Sequence, residues 1–145
     1  MIQESRFAII ASRFNSEISD RLIAGAMEAF QQANVAPGQV SVFRVPGAFE
    51  IPLAAKRAAI SKKFDAVIAI GCVVRGETAH FEYISQHVSS GIGQVALETG
   101  IPVTFGVLTA YTEEQAMERS EKNSENKGYE AAAAAVEMVN LLKQL

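Results

Sequence analysis

His80 lies just past the apolar run Ala66–Val74 (AVIAIGCVV), separated from it by Arg75-Gly76-Glu77-Thr78-Ala79. If a helix opens near His80, the segment Gly76-Glu77-Thr78 sits at its amino end. Free backbone N–H groups there, together with the helix dipole, favour an anion such as phosphate. The backbone N–H groups would do the binding, and Glu77's carboxylate would have to point elsewhere. The same dipole disfavours a charged imidazole, so a neutral His80 could accept a proton. The other reading is a capped helix with a surface histidine, and the motif alone does not separate the two.

Other residues invite the same double reading. In 13-RFN-15, Phe14 could stack on a planar ring; the plainer expectation is a core phenylalanine followed by a helix cap. In 46-PGAFEIP-52, Gly47 allows a tight turn with close backbone approach. Phe49 or Glu50 could then face a ligand, Glu50 as an acceptor for a polyol, although Phe49 is expected in the core. Phe105 reads as a core strand residue that matters only if it lines a pocket between subunits. Arg119 suits a phosphate, but it and Lys127 lie in a polar stretch where solvated charge is the usual explanation. Cys72 has no base near it in sequence and reads as a buried thiol. His87 is expected on an exposed helix face. Two histidines without clustered carboxylates or cysteines make a weak metal site. Neither a GxGxxG nor a GxxxxGK[ST] stretch is present.

These residues need elements to hold them. Phe7–Ser12 (FAIIAS) is nearly continuous and apolar, as in a strand buried on both faces. Ile18, Leu22, Ala26 and Phe30 follow at helical spacing, flanked by Ile23 and Met27. Asn15 or Ser16 can cap that helix, and the Pro-Gly of 35-VAPGQV-40 breaks it. Residues 39–45 (QVSVFRV) alternate, so one face should be less buried. Pro52 suits a first helical position. The third strand is 66–74. A helix over about 80 to 98 ends at Gly100 and Pro102. Val103–Leu108 is a fourth strand, 112-TEEQ-115 reads as a capping box, and the polar stretch 118-ERSEKNSENKG-128 precedes a last helix carrying 131-AAAAAV-136. Strand and helix alternate throughout, which predicts an α/β domain with a parallel sheet between helical layers. Ligands of such sheets bind past the carboxyl ends of the strands. The segments 12-SRFN-15, 46-PGAFE-50, 74-VRGETAH-80 and 109-TAYT-112 occupy that edge and hold most of the unusual residues.

The 145 residues suit one domain spanning 1–145, and 49% hydrophobic with 20% charged residues is ordinary for a globular core. A net charge of −3 and no basic cluster beyond Lys62-Lys63 argue against a nucleic-acid face. The single cysteine rules out an internal disulfide and leads us to expect a cytoplasmic setting. No apolar run approaches the roughly 18–20 residues needed to span a bilayer, and MIQESRFAII lacks the layout of a secretory signal.

Taken together, 12-SRFN-15, 45-VPGAFEIP-52, 71-GCVVRGETAHFEY-83, 103-VTFGVLT-109, 113-EEQAMERS-120 and 126-NKG-128 resemble the lumazine synthase family, from about residue 7 to the carboxyl end. Each piece alone is a weak signal; in this order and spacing they are highly specific. The resemblance implies a three-layer αβα sandwich around a four-stranded parallel sheet, wound as in flavodoxin. It implies the condensation of 5-amino-6-(D-ribitylamino)uracil with 3,4-dihydroxy-2-butanone 4-phosphate to 6,7-dimethyl-8-ribityllumazine, with no metal or organic cofactor. It places Phe14 on the pyrimidine, Ala48, Phe49 and Glu50 along the ribityl chain and ring edge, and Cys72, Val73 and Val74 against the pyrimidine largely through backbone. Glu77 and Thr78 would offer amides to the phosphate, His80 would move protons, and Arg119 would bind phosphate. Lys127 matches a family lysine near the site, and Phe105 would come from a neighbouring subunit. The family builds pentamers, some of which assemble into sixty-subunit shells.

Two departures stand out. Where the family carries Gly-Thr-Lys-Ala-Gly, this chain has 121-EKNSE-125, and without glycines the loop has no cheap access to positive φ. The six residues before Phe7 also leave little for the extra strand that family members commonly add to a neighbour's sheet. Both changes weaken assembly elements, so a pentamer is expected rather than a shell. A carrier of lumazine or flavin would need Phe14 and Glu50 but not His80 or Arg119, and the presence of all four favours the enzyme. A cage with decayed catalysis has the altered loop as its only support.

Overall fold

The computed structural model describes residues 2–145. Its strands are β1 (Phe7–Ser12), β2 (Val40–Val45), β3 (Ala66–Val74) and β4 (Val103–Ala110). They pair in the order β2-β1-β3-β4, all parallel, with Ile9 opposite Ile68 and Ile68 opposite Thr104 across the centre. The helices are α1 (Ser16–Gln32), α2 (Ile51–Ile60), α3 (His80–Thr99), α4 (Glu113–Arg119) and α5 (Lys127–Leu142), and single 3-10 turns cover Ile2–Glu4, Pro37–Gln39 and Ala48–Glu50.

The continuous apolar runs of β1 and β3 follow from their central position. Side chains alternate across a strand, so Phe7, Ile9, Ile68 and Ile70 face α1 and α5, while Ala8, Ile10, Val67 and Ala69 face α2 and α3. Each face becomes its own core, and the fold is the three-layer αβα sandwich that the sequence pattern implies. Leu22, Ala26 and Phe30 of α1 are fully buried against the first core, each large side chain contributing about 1.5–3 kcal/mol. Val88, Ile92 and Val95 do the same for α3 on the opposite face.

Three local expectations are corrected. No residue of β2 is buried, so its burial does not alternate; β2 is the sheet edge, and neither helical layer fully covers it. The first helix ends before the Pro-Gly pair. Asn34 takes φ 63° and Val35 N–H donates to Phe30 O at 2.9 Å, a Schellman closure that stops α1 at Gln32. Pro52 falls at the second helical position, because the 3-10 turn Ala48–Glu50 runs directly into Ile51.

From β1 the chain first winds out to β2, then crosses back to β3 and β4. The winding direction therefore reverses between β1 and β3, and the crevice past their carboxyl ends is the place where such sheets bind ligands.

Candidate active site

A cavity of about 640 Å³ opens at that crevice. A larger furrow of about 920 Å³ follows the outer side of α1 between Ala24, Gln31 and Lys122, but it is remote from the strand ends and contains neither histidine nor cysteine. The crevice is the site with chemistry in it. It is lined by three of the four edge segments.

The segment after β1 forms one wall. Arg13 N–H donates to Val45 O at 2.8 Å and Phe14 N–H to Pro46 O at 3.2 Å, which carries the β1–β2 pairing past the strands. Asn15 then adopts φ 60°, a left-handed conformation that asparagine tolerates better than most residues, and turns the chain into α1. The turn leaves Phe14 at the cavity mouth, 71% exposed. The expectation of a core phenylalanine is overturned. Asn15 does not cap α1 with its side chain either; its Nδ2 donates to Cys72 O at 3.2 Å and ties the ends of β1 and β3 together.

The segment after β2 forms the floor. Gly47 is extended (φ −146°), so it supplies no left-handed turn. Its N–H donates to Glu50 Oε1 at 2.9 Å, and Glu50's carboxylate thereby closes the 3-10 turn that carries Ala48 and Phe49. Phe49 is 51% exposed rather than in the core. Its ring stacks on His87 at a centroid distance of 4.0 Å, and His87 Nε2 lies 3.2 Å from Phe49 O. A carbonyl only accepts, so that nitrogen carries the proton in this contact. His87 is exposed on α3 as expected, and it braces the floor.

The third segment closes the back. Cys72, Val73 and Val74 line the cavity from the end of β3, followed by Arg75 and His80. The Cys72 thiol is 3% exposed. Burial, reinforced by Glu113, pushes it up to about 11, which makes it a neutral wall rather than a nucleophile. Glu77 and Thr78 lie exposed in the loop beyond the wall. The N-cap of α3 is Ala79, which has no capping side chain. The side-chain contact here is a long one from His80 N–H to Thr78 Oγ1 at 3.4 Å, and among the described residues no acceptor faces the amides of Glu77, Thr78 and Ala79.

The fourth segment contributes less than its position promised. Thr109 and Ala110 belong to β4, which runs two residues past the expected Leu108. Thr112 Oγ1 accepts from Gln115 N–H, but the return bond of the capping box goes from Tyr111 N–H to Gln115 Oε1 at 2.9 Å. Glu113 reaches the cavity from the first turn of α4. Five residues of the expected site stand outside the cavity lining: besides Glu77 and Thr78 in the loop, these are Phe105, Arg119 and Lys127. Phe105 is half-buried against the α2–α3 core, Arg119 is exposed at the end of α4, and Lys127 begins α5. The sequence reading did not assign Arg75, Asn15, Ile84 and Glu113 to the wall. Arg75 and Asn15 stand inside segments already singled out, immediately past β3 and β1, and that edge position was the available signal.

Fold and cavity define an α/β protein with a cavity of small-molecule size at the switch point of a parallel sheet, beside a histidine at a helix start. Comparison with known proteins makes this specific. Residues 4–143 match the family described as 6,7-dimethyl-8-ribityllumazine synthase. The chain is 50% identical to the 6,7-dimethyl-8-ribityllumazine synthase of Chloroherpeton thalassium over 99% of its own length and 92% of the relative's. It is 51% identical to that of Syntrophus aciditrophicus, with 97% and 91% of the two chains covered. It is 53% identical to that of Desulfotalea psychrophila, with 97% and 90% covered. The chain belongs to the 6,7-dimethyl-8-ribityllumazine synthase family. Its activity is that of the family, a transferase reaction of riboflavin biosynthesis carried out on small-molecule substrates by an oligomeric enzyme. No helix among the described residues is long and apolar enough to cross a membrane.

Proposed function

We propose that the crevice between β1 and β3 holds both substrates of lumazine formation and that His80 moves the protons. The observation that carries this reading is the convergence of Phe14, the Ala48–Glu50 turn, the Cys72–Val74 strand end and His80 on one cavity. The exposed face of Phe14 receives the pyrimidine of the ribitylaminouracil. The floor from Ala48 through Phe49 to Glu50 follows the ribityl chain, with Glu50 accepting from hydroxyls. Backbone at Cys72, Val73 and Val74 meets the edge of the ring. The amides of Glu77 and Thr78, uncommitted among the described residues, take the phosphate of the butanone.

The amine of the pyrimidine attacks the ketone and water leaves as the imine forms. Phosphate is then eliminated, the resulting enol becomes a ketone, and the second nitrogen attacks that carbonyl and closes the ring as a second water leaves. His80 takes and returns protons in these steps. Holding the two reactants together supplies up to roughly 7–11 kcal/mol of the barrier reduction. General acid–base catalysis adds about 10²–10⁴-fold.

Phe105, Arg119 and Lys127 do not line the cavity of their own chain. Roles for them at the substrates therefore need a neighbouring copy, in a closed ring where each subunit completes the next one's site. We propose a pentamer of single-domain subunits working in the cytoplasm; a sixty-subunit mass in analytical ultracentrifugation would overturn the pentamer. The catalytic assignment is tested by mixing purified protein with both substrates and following lumazine fluorescence over the uncatalysed background. Acceleration that His80→Ala removes is the expected result. Binding of the pyrimidine without acceleration would make the protein a carrier or an inactive cage.

A further inference from the structure

We propose that Arg75 is a further substrate-binding residue, which receives the phosphate of the butanone substrate at the cavity wall. This deepens the reading given under Proposed function and rests on it. Besides His80, the ionisable side chains on the wall are Glu50, Glu113, Arg75 and the neutral Cys72 thiol. Within one chain Arg75 is thus the one permanent cation on the wall, which it shares with two carboxylates, in a cavity that on the proposed reading admits a phosphate ester. Without it, the formal charges that this chain places on the wall would be the two carboxylates alone.

The setting of Arg75 leaves it free for the task. Its backbone N–H donates to Ala110 O at 2.9 Å, which fixes the chain beside β4. Its guanidinium carbon lies 5.6 Å from the centre of the Tyr111 ring, within the roughly 6 Å reach of a cation–π contact. Tyr111 is itself held against Phe81 at 5.9 Å, and by its N–H to Gln115 Oε1. A ring face orients a guanidinium without consuming its N–H donors. Among the described residues no carboxylate or carbonyl accepts from the Arg75 side chain. A guanidinium placed this way, with five donors in a planar fork, matches a phosphate bidentately. In sequence it also stands just ahead of Glu77–Ala79, whose amides face no acceptor among the described residues, so one anion could be met by both.

The test is steady-state kinetics of the full-length protein with each substrate varied in turn. Calorimetric titration with inorganic phosphate runs alongside. Arg75→Gln should raise KM for the butanone phosphate roughly tenfold and leave KM for the pyrimidine within about twofold. It should weaken inorganic phosphate binding to a similar degree. Arg75→Lys, which keeps the charge but loses the fork, should recover part of both. Tyr111→Leu should move the same constants in the same direction by less, and Tyr111→Phe should not. An unchanged butanone phosphate KM in Arg75→Gln, or a parallel rise for both substrates, would overturn the proposal. If the wild type bound phosphate through Arg75 but formed no lumazine, the catalytic reading would fall and the anion site would stand.

Discussion

Two helix starts lie at the same edge of the sheet and are built in opposite ways. At α5, Asn126 is fully buried and uses every bond its amide can make. Its Oδ1 accepts from Gly128 and Tyr129 N–H, and its Nδ2 donates to the carbonyls of Arg21, Ser120 and Glu121. At α3, the N-cap is an alanine, the loop ahead of it is exposed, and among the described residues the amides of Glu77, Thr78 and Ala79 face no acceptor. Helix starts normally satisfy their orphan N–H groups from within. The α5 start does so and is a structural joint. The α3 start does not, and it is the one beside the cavity. Donors left open by the protein are donors available to a ligand.

The comparison breaks most visibly at the joint. A Cβ on Gly128 would come within 1.9 Å of Leu22 O, and one on Gly25 within 2.2 Å of Asn126 Oδ1. α1 and α5 cannot move apart without opening the core they share. Gly128→Ala is expected to abolish soluble folded protein. Asn126→Ala should cost about 2–4 kcal/mol in urea denaturation, since a lost cap and stranded buried carbonyls add. Asn126→Asp is the sharper variant. It keeps the cap acceptor but turns a carboxylate oxygen toward three carbonyls, so it should be at least as damaging as alanine. A neutral result would mean that the joint is not what holds α5.

The open start should respond in the opposite sense. His80 is exposed and packs into neither core, so His80→Ala should leave the urea midpoint unchanged and slow lumazine formation by about 10²-fold or more. Loss of stability with the rate preserved would reverse the roles of the two starts.

Cys72 lies buried on the cavity wall and gives a pH handle. Its folded pKa is about 11 against an ordinary 9.0. In the unfolded chain the thiol would lose its proton first, so stability contributed by the neutral buried thiol is present below pH 9.0 and is lost as pH rises toward 11. The loss is about 2–3 kcal/mol at roughly 1.4 kcal/mol per unit. Wild type should lose that much more than Cys72→Ala between those two pH values. Alkylation by iodoacetamide at neutral pH should be slow in the folded protein and fast in urea.

The fold was legible because its causes are local. The unbroken apolar runs 7–12 and 66–74 read directly as central strands, and Gly100 with Pro102 marked the end of α3. The site was legible in part. Its segments were found from topology, and the resemblance gave Phe14, Ala48–Glu50, Cys72–Val74 and His80, which line the cavity. The side-chain directions were not legible. Phe14 and Phe49 read as core because aromatic residues at strand ends usually are. What turns them outward is non-local: the left-handed Asn15 bonded to Cys72 O, and the His87 ring supplied from another helix. Arg75 and Glu113 were missed for the same reason, since a charge shows its value only beside the other charges of a wall. Arg119 and Lys127 were placed by resemblance, and a single chain does not bring them to the cavity.

The loop between the two helix-carrying regions offers the smallest and most discriminating test. The sequence 121-EKNSE-125 lacks the glycines of the family pattern, and that suggested a backbone denied its proper conformation. None of these residues takes a positive φ. Asn123 N–H donates to Glu121 O at 2.9 Å, Glu125 N–H to Asn123 Oδ1 at 2.8 Å, and Asn126 receives the end of the turn. The chain has solved the connection with asparagine side chains where glycines would use backbone freedom. Restoring glycine at 121 and 125 should therefore relieve nothing. It should lower stability by about 0.4–1 kcal/mol per site through unfolded-state entropy. Lumazine formation should stay as it was. A gain in rate or a change in assembly mass on Glu121→Gly with Glu125→Gly would mean that the loop does constrain the enzyme, and that the joint at Asn126 extends its influence to the neighbouring subunit's cavity.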